Sequence, residues 1–166
     1  MYFDFERISP EAYRLGMRKL AGAVTIITSN GEAGKGGFTA TAVCSVSDNP
    51  PTVLVCINRK NESNELIKKN KVFAVNVLNH QQQELSNRFA GYDKDITLEQ
   101  RLEKGNWKTL KTNSPILENS LVSFDCILSD WQEVATHSIA FGEVVAIHHG
   151  ENASPLLYFD GKYKGF

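Results

Sequence analysis

The sequence predicts a mainly β fold, an antiparallel β-barrel with short helices at its periphery. Its 166 residues are enough to form one hydrophobic core but too few for two domains of ordinary size. A single domain spanning 1–166 is therefore expected. About seven segments rich in β-branched and apolar residues follow one another along the chain. Few of them are separated by helices long enough to connect parallel neighbours, which disfavours a doubly wound parallel sheet.

The individual elements follow from their start and stop signals. Ser9 and Pro10 predict the beginning of a short amphipathic helix, because a hydroxyl cap precedes proline at the first helical position. Two β-rich runs over 23–29 and 38–47 flank glycine-rich turn chemistry and predict a hairpin, after which a buried strand spans 52–58. The further predicted elements are a helix over 62–70 capped by Ser63, a strand over 71–78, a helix over 81–91 closed by Gly91, a polar surface excursion over 92–115, and strands over 121–134, 137–149 and 154–159.

The composition excludes several classes of protein. Eighteen Lys and Arg against nineteen Asp and Glu give a formal net charge of −1, so no excess of positive charge indicates binding to nucleic acid or an anionic membrane. No long apolar run exists, and the N-terminus lacks a basic patch followed by an apolar stretch, so we expect a cytoplasmic protein that spans no membrane. Cys44, Cys56 and Cys126 are odd in number and irregularly spaced, which predicts buried free thiols rather than disulfides or zinc ligands.

Three possible site motifs do not match. The glycines at 31, 34, 36 and 37 precede a strand and lack the spacing of a dinucleotide fingerprint, so they are interpreted as the tip of the hairpin. Lys35 is followed by glycine rather than Ser or Thr, which excludes a nucleotide-binding phosphate loop. His148 and His149 are adjacent on a predicted strand and point to opposite faces, so no metal site is expected there.

Four features remain as candidates for binding. The run 39–47 carries small and hydroxyl side chains, which would let a flat ring approach the backbone or would form the outer face of a sheet. At 58–63 an amide, two cations and a hydroxyl precede a helix, as in a phosphate site or an ordinary capped helix. His137 begins an apolar strand and is either a polar packing residue or a donor to a ligand. Tyr158 and Phe159 precede a turn, where they could stack on a ring or lie in the core.

Taken together, these segments resemble the short flavin reductases that serve two-component flavin-dependent monooxygenases and are built on the FMN-binding split barrel. The likeness extends over nearly the whole chain, through 23–63, 73–91 and 136–166 in the order and spacing of the family. Each motif alone is weak, whereas the ordered set is specific. Within the family, 39–51 and 76–91 are most similar to the reductase components of 4-hydroxyphenylacetate 3-monooxygenases.

The resemblance implies an antiparallel split β-barrel with the activity of an NAD(P)H:flavin oxidoreductase. Hydride would pass from NADH or NADPH to FMN or FAD, and the reduced flavin would diffuse to a partner monooxygenase. It also implies a homodimer with the flavin pocket at or near the subunit interface, and His137 as the catalytic residue that approaches the nicotinamide. The residues implied to bind flavin or dinucleotide are Thr39, Ala40, Thr41, Ala42, Cys44, Ser45, Val46, Ser47, Asn58, Arg59, Ser63, Tyr158 and Phe159.

Two other interpretations stay open at this point. A split-barrel protein could bind flavin or haem without oxidising NADH, as an electron carrier, sensor or storage protein, because a fold does not determine a function. An oxidase of the pyridoxamine phosphate type shares the barrel, but the segments above do not resemble it. The sequence assigns no motif to 92–115 and does not discriminate FMN from FAD or NADH from NADPH.

Overall fold

The computed structural model describes residues 6–165 and confirms a mainly β architecture, with twelve strands and four short helices in that range. The strands are β1 (Gly22–Ala23), β2 (Thr25–Gly31), β3 (Gly34–Ala40), β4 (Val43–Asp48), β5 (Pro51–Asn58), β6 (Val72–Val77), β7 (Trp107–Lys108), β8 (Ile116–Leu117), β9 (Val122–Val134), β10 (His137–His149), β11 (Leu157–Phe159) and β12 (Lys162–Lys164). The helices are α1 (Pro10–Met17), α2 (Glu62–Asn70), α3 (Gln83–Phe89) and α4 (Leu98–Arg101). Within these described residues, every helix is too short or too polar to cross a bilayer.

Seven strands form the main sheet in the order β3-β2-β6-β9-β10-β5-β4, and every neighbouring pair in it is antiparallel. The two edge strands, β3 and β4, follow one another in the chain and are separated by Thr41 and Ala42 alone. Since no ladder joins them among the described residues, the sheet is open along this line. This confirms the predicted antiparallel architecture with an opening in the barrel. A smaller sheet, β1-β11-β12, and the pair β7-β8 complete the strands.

The core lies on both faces of the main sheet. Ile26 and Ile27 are neighbours on β2, so their side chains point to opposite faces of the sheet. Both are fully buried, which shows that both faces are covered here. Ile27 packs with Phe73 and the other side chains that the sheet encloses. Ile26 packs on the outer face with Phe89 of α3 and Leu156 near β11. Burial of each such side chain contributes roughly 1.5–3 kcal/mol, so α3 and the C-terminal strands are held firmly over one face of the sheet.

The glycine-rich segment is only partly a hairpin tip, which corrects the prediction. The turn between β2 and β3 contains Glu32 and Ala33, whereas Gly36 and Gly37 lie inside β3. A Cβ atom at Gly36 would lie 2.5 Å from Cβ of Leu98 in α4. Gly36 is therefore needed for the close approach of α4, and a Cβ atom at Gly37 would lie too close to the carbonyl oxygen of Ile27 on the neighbouring strand β2. The polar excursion over 92–115 thus places α4 directly on the edge strand β3.

Two further element predictions were wrong in detail. The single strand expected over 38–47 is divided, because β3 ends at Ala40 and β4 begins at Val43. Helix α2 is capped by Asn61, whose side-chain oxygen accepts a hydrogen bond from the backbone N–H of Ser63 at 2.9 Å. Ser63 is thus a buried residue of the first turn and does not cap the helix.

The cysteines are free thiols in three different environments. Cys126 is buried and Cys56 is half-buried, but Cys44 is exposed, so the prediction of a buried thiol was wrong at Cys44. Its exposure follows from its position on β4, an edge strand of the sheet. Burial raises the pKa of the Cys126 thiol to about 12.

Candidate functional site

Two clefts meet at the C-terminal end of α3, where Ala90 lines both of them. The larger, about 520 Å³, is called the polar cleft, and its lining includes Asn58, Lys60, Asn61, Glu62, Lys94 and Arg101. The smaller, about 180 Å³, is called the aromatic cleft, and its lining includes Thr39, Ala40, Thr41, Tyr92, Tyr158 and Tyr163. The site therefore joins a charged, hydrogen-bonding end to an end of aromatic and small side chains.

The aromatic cleft is assembled from β3, α3 and the β11–β12 hairpin. Tyr158 and Tyr163 are directly paired across the hairpin, so both rings lie on one face, with centroids 5.3 Å apart in an edge-on arrangement. The Thr39 hydroxyl donates to the carbonyl of Ser86 at 2.6 Å, and the Ser86 hydroxyl lies 2.9 Å from the Tyr163 hydroxyl. Ser86 thereby links the strand to the hairpin. Burial raises the pKa of the Tyr163 phenol.

The polar cleft is built around the N-terminus of α2. Asn58 accepts a hydrogen bond from the backbone N–H of Lys60 at 2.9 Å, which shapes the turn that leads into the Asn61 cap. From the opposite side, Arg101 donates to the carbonyl oxygens of Gly37 at 3.0 Å and Phe89 at 3.3 Å. Its guanidinium is thus fixed at the junction of β3, α3 and α4. Burial lowers the pKa of Arg101 because the charged form loses solvent.

One buried hydroxyl beside this cleft has no protein partner. Ser63 is fully buried in the first turn of α2, and its hydroxyl makes no hydrogen bond within residues 6–165. A buried hydroxyl without a partner is uncommon and is a candidate contact for a ligand or an ordered water. Together with the positive end of the α2 dipole and the cations Lys60 and Arg101, it fits an anionic group such as a phosphate.

The family model described as "Flavin reductase like domain" matches residues 17–166. The chain belongs to this family. The protein of Acinetobacter baylyi named FMN reductase (NADH) RutF is 44% identical over 159 residues, which cover 96% of this chain and 83% of that protein. The protein of the same name from Pantoea ananatis is 45% identical over 156 residues, covering 94% of this chain and 80% of that protein.

Solved structures agree with this assignment of the flavin reductase-like domain. A Haemophilus somnus protein superposes with a TM-score of 0.90 at 40% identity, over 96% of this chain and 100% of that one. The flavin reductase PheA2 superposes with a TM-score of 0.86 at 32% identity, over 96% and 99% of the two chains. These likenesses confirm the predicted split-barrel fold and the family resemblance. The finer likeness to 4-hydroxyphenylacetate 3-monooxygenase reductases stays a prediction.

The structure brings some of the predicted flavin-binding residues together and leaves others apart. Thr39, Ala40 and Thr41 line the aromatic cleft of the flavin reductase-like domain beside Tyr158, although more than a hundred residues separate the two segments. Phe159 lies on the opposite face of the hairpin, because it follows Tyr158 in the strand. The predicted site residues that line neither of the two clefts are Ala42, Cys44, Ser45, Val46, Ser47, Arg59, Ser63, His137 and Phe159. Their binding roles stay predictions.

His137 and Arg59 are neighbours of Asn58, which lines the polar cleft, but neither of them lines it. His137 is exposed at the start of β10, is paired with Asn58 of β5, and its Nδ1 lies 2.9 Å from the Thr136 hydroxyl. Arg59 does not line the polar cleft; its guanidinium contacts the carbonyl oxygen of Ala135 at 3.3 Å and the Glu133 carboxylate at 3.2 Å. The structure thus places Arg59 beside the turn that precedes His137.

Several lining residues were missed from the sequence. Thr97 and Gln100 form a capping box that was a readable signal for α4, the helix that carries Arg101. Tyr163 belongs to the aromatic turn that the sequence singles out, but only its register with Tyr158 shows that the two rings share a face. No local pattern identifies Arg101 itself, because its contacts are with residues distant in the chain.

Proposed function

We propose that this chain is a cytoplasmic NADH-dependent flavin reductase that supplies reduced flavin to a partner monooxygenase. The observation that carries the proposal is the junction of the two clefts at Ala90. A flavin nucleotide has a phosphate at one end and a flat ring system at the other, and the two clefts offer the matching chemistry. The name of the relatives, FMN reductase (NADH), supports the same activity.

The polar cleft is the proposed seat of the flavin phosphate. An anion there would face the N-terminus of α2 and the side chains of Lys60 and Arg101, which supply positive charge. Asn58, which lines the cleft, would add a neutral hydrogen bond. The unpartnered hydroxyl of Ser63, which is buried in the first turn of α2 and does not itself line the cleft, would add another. Such contacts position a nucleotide strongly, because charge-assisted hydrogen bonds exceed neutral ones in strength.

The aromatic cleft is the proposed seat of stacked rings. The small side chains of Thr39, Ala40 and Thr41 leave the β3 backbone open to close approach, and Tyr158 and Tyr163 supply flat faces opposite them. The exposed edge strand β4, which carries Cys44 to Ser47, lies next in the chain and is proposed to add backbone contacts to the ring.

The reaction itself is hydride transfer from nicotinamide C4 to flavin N5, and the two bound molecules supply its chemistry. The protein has to hold the rings face to face, exclude water and offer hydrogen-bond donors toward the ring edge that gains negative charge. No acid or base pair is needed, which agrees with a cleft made of small, hydroxyl and aromatic side chains. His137 is proposed to orient the nicotinamide from the start of β10.

We also propose that the chain folds as one domain and acts as a homodimer. Four apolar side chains on β4, β9 and β10 are each about half exposed: Val46, Ile127, Val134 and Ile147. Helix α1 buries none of its residues, although Tyr13 and Met17 recur on it at helical spacing. A second copy would cover such surfaces. Light scattering is expected to give twice the mass of one chain, and the mass of one chain would contradict the dimer.

The activity is tested by following NADH and NADPH absorbance with purified protein, with and without added FMN, FAD and riboflavin. We expect NADH oxidation that depends on added flavin, with bleaching of the flavin under anaerobic conditions. Tightly bound flavin without NADH oxidation would instead support the alternative of an electron carrier or sensor. A reductase is expected to release its product and to purify with little flavin.

A further inference from the structure

We propose that Arg59 is a positioning residue for His137 rather than a ligand of the flavin phosphate, and that Glu133 holds Arg59 in this role. The proposal rests on the proposed function, because the placement of His137 affects turnover only if nicotinamide binds beside it. The residues involved are those of the turn between β9 and β10, Ala135 and Thr136, and those of the loop before α2, where Arg59 lies.

The turn that precedes His137 is held in an unfavourable backbone conformation. Val134 and His137 are paired across the hairpin, and only Ala135 and Thr136 join them. Ala135 has a φ of 49°, in the left-handed region that residues with a Cβ atom rarely adopt. Such a conformation persists where surrounding contacts fix it, and a change there would redirect the side chain two residues later.

Arg59 makes the contacts that fix this turn. Its backbone N–H donates to the carbonyl oxygen of Thr136 at 3.0 Å, and its Nη1 donates to the carbonyl oxygen of Ala135 at 3.3 Å. One residue therefore binds both carbonyl groups of the two-residue turn. Because Asn58 is paired with His137, the same segment also holds the end of the turn at His137.

Glu133 fixes the direction of the Arg59 side chain. Its Oε2 lies 3.2 Å from Nη2 of Arg59, and its Oε1 lies 2.8 Å from Nζ of Lys68. The hydrogen bond from Lys68 and the charge of Arg59 lower the pKa of Glu133. The planar guanidinium is thus engaged by the hairpin on both of its terminal nitrogens.

The position of the neighbouring cations supports this assignment. Lys60 and Arg101 line the polar cleft, whereas Arg59 does not. The Arg59–Glu133 pair is about half exposed, and ion pairs of this kind contribute little to folding stability. Its removal should therefore appear in the kinetics with NADH and hardly in the unfolding transition.

The variant Glu133→Gln distinguishes the two possible roles of Arg59, positioning of His137 and binding of the flavin phosphate, by its effect on FMN affinity. If Arg59 positions His137, the variant loses the ion pairs, kcat/KM for NADH falls, and FMN affinity is unchanged. If Arg59 binds the phosphate, removal of the Glu133 charge frees the guanidinium and FMN binds more tightly. Arg59→Lys retains the charge but loses the planar fork, so it should reproduce the defect of Glu133→Gln.

The experiment measures NADH kinetics with FMN and with riboflavin, and the dissociation constants of both flavins by fluorescence. We expect a fall of about three- to tenfold in kcat/KM for NADH in Glu133→Gln and Arg59→Lys, equal with the two flavins. In a His137→Ala background, Glu133→Gln should have no further effect, because residues that act through one another are not additive. Glu99→Gln, which removes the exposed ion pair with Lys35 at 3.1 Å, is the matched control and should match the wild type.

Tighter FMN binding in Glu133→Gln, or an FMN-selective loss in Arg59→Lys, would overturn the proposal. Additive losses in the His137→Ala background would do the same. If the wild-type chain oxidises no NADH, the proposed function fails. Amide hydrogen exchange at Thr136 and His137 then tests separately whether Arg59 and Glu133 hold the turn before His137. Faster exchange in both variants is expected, and unchanged exchange would contradict the positioning role.

Discussion

The hydroxyl of Tyr163 lies 2.9 Å from the hydroxyl of Ser86, which attaches the C-terminal hairpin to α3 at the aromatic cleft. Ser86 is fully buried, so removal of its partner leaves a buried hydroxyl with fewer contacts. We expect Tyr163→Phe to lower the free energy of unfolding by about 1 kcal/mol, within the range measured for such losses. It should also raise KM for flavin, because the ring of residue 163 is then less firmly held.

Urea unfolding and steady-state kinetics measure these two effects of Tyr163→Phe. Tyr13→Phe is the control, since Tyr13 is exposed on α1 and lines neither cleft. Equal behaviour of the two variants would show that the hydroxyl contact has no role in the cleft.

The close approach of α4 to β3 predicts the effect of Gly36→Ala. A Cβ atom there would lie 2.5 Å from Cβ of Leu98, so α4 must move. We expect a loss of about 1–3 kcal/mol in unfolding free energy, the usual penalty for overpacking. FMN affinity should fall as well, because α4 carries Arg101 into the polar cleft.

The matched control is Gly16→Ala, because a Cβ atom at Gly16 meets no atom within 4 Å. Gly16 lies within α1, where alanine is favoured over glycine by up to about 1 kcal/mol. The two glycine variants should therefore change the unfolding midpoint in opposite directions. A Gly36→Ala protein as stable as the wild type would mean that α4 is not closely packed on β3 in solution.

Local signals in the sequence were sufficient for most of the fold. Ser9 and Pro10 identified the start of α1, and Gly91 with a φ of 75° closes α3 as its position indicated. The division between β3 and β4 was missed because Thr41 and Ala42 are small and resemble the strand residues on either side. The chain leaves the sheet there because the two strands form its opposite edges, which is a property of the whole barrel.

The candidate site was less accessible to sequence reasoning, for a physical reason. Thr39 and Asn58 were found because their local patterns suit a ring and a phosphate. The direction of Arg59 depends on Glu133, which is far away in the chain and comes close only through the pairing of β5 with β10. Arg101 was missed because its contacts with Gly37 and Phe89 exist only when α4 lies on β3.

The environments of the three thiols predict their order of reaction. Cys44 is exposed, Cys56 is half-buried, and Cys126 is buried, so a disulfide reagent should label them in this order. Burial also raises the pKa of Cys56, and that of Cys126 to about 12. Mass spectrometry of the labelled peptides measures the order. Rapid labelling of Cys126 under native conditions would contradict its burial.

The buried thiol of Cys126 predicts part of the pH dependence of the free energy of unfolding. Between its ordinary pKa of 9.0 and the raised value of about 12, folded Cys126 keeps a proton that the unfolded chain has lost. Its contribution to stability is therefore complete below 9.0 and declines as the pH rises toward about 12. We expect Cys126→Ala to flatten the alkaline fall in unfolding free energy, measured by urea unfolding at a series of alkaline pH values. An alkaline fall as steep as that of the wild type would contradict this contribution of Cys126.

The left-handed backbone of Ala135 predicts that glycine is favoured at this position. Ala135→Gly removes a steric penalty of about 1–2 kcal/mol but adds flexibility to the unfolded chain, so a net gain of up to about 1 kcal/mol is expected. Ala23→Gly in β1 is the control and should destabilise by about 0.5–1 kcal/mol, because residue 23 lies in a strand. Thermal unfolding measures both, and two losses of equal size would contradict the strained turn.

The unpartnered hydroxyl of Ser63 predicts opposite effects on stability and on ligand binding. Ser63→Ala removes a buried polar atom that has no hydrogen bond within residues 6–165, so the ligand-free protein should be as stable as the wild type or more so. FMN affinity should nevertheless fall by a factor of about 10 to 150, the value of one hydrogen bond to a charged phosphate, while riboflavin affinity stays constant.

Ser123→Ala is the matched control for Ser63→Ala, since its equally buried hydroxyl donates to Asn76 at 2.7 Å. That variant removes one of the two hydrogen bonds to the Asn76 side-chain oxygen, which still accepts from the backbone N–H of Leu117, and it leaves the buried Ser120 hydroxyl without its partner. It should lose about 1–3 kcal/mol of unfolding free energy with no preference between the two flavins. If Ser63→Ala behaved like Ser123→Ala, its hydroxyl would have a structural partner such as a bound water. The selective loss of FMN affinity, in a protein that unfolds no more easily, is the outcome that only a contact with the phosphate explains.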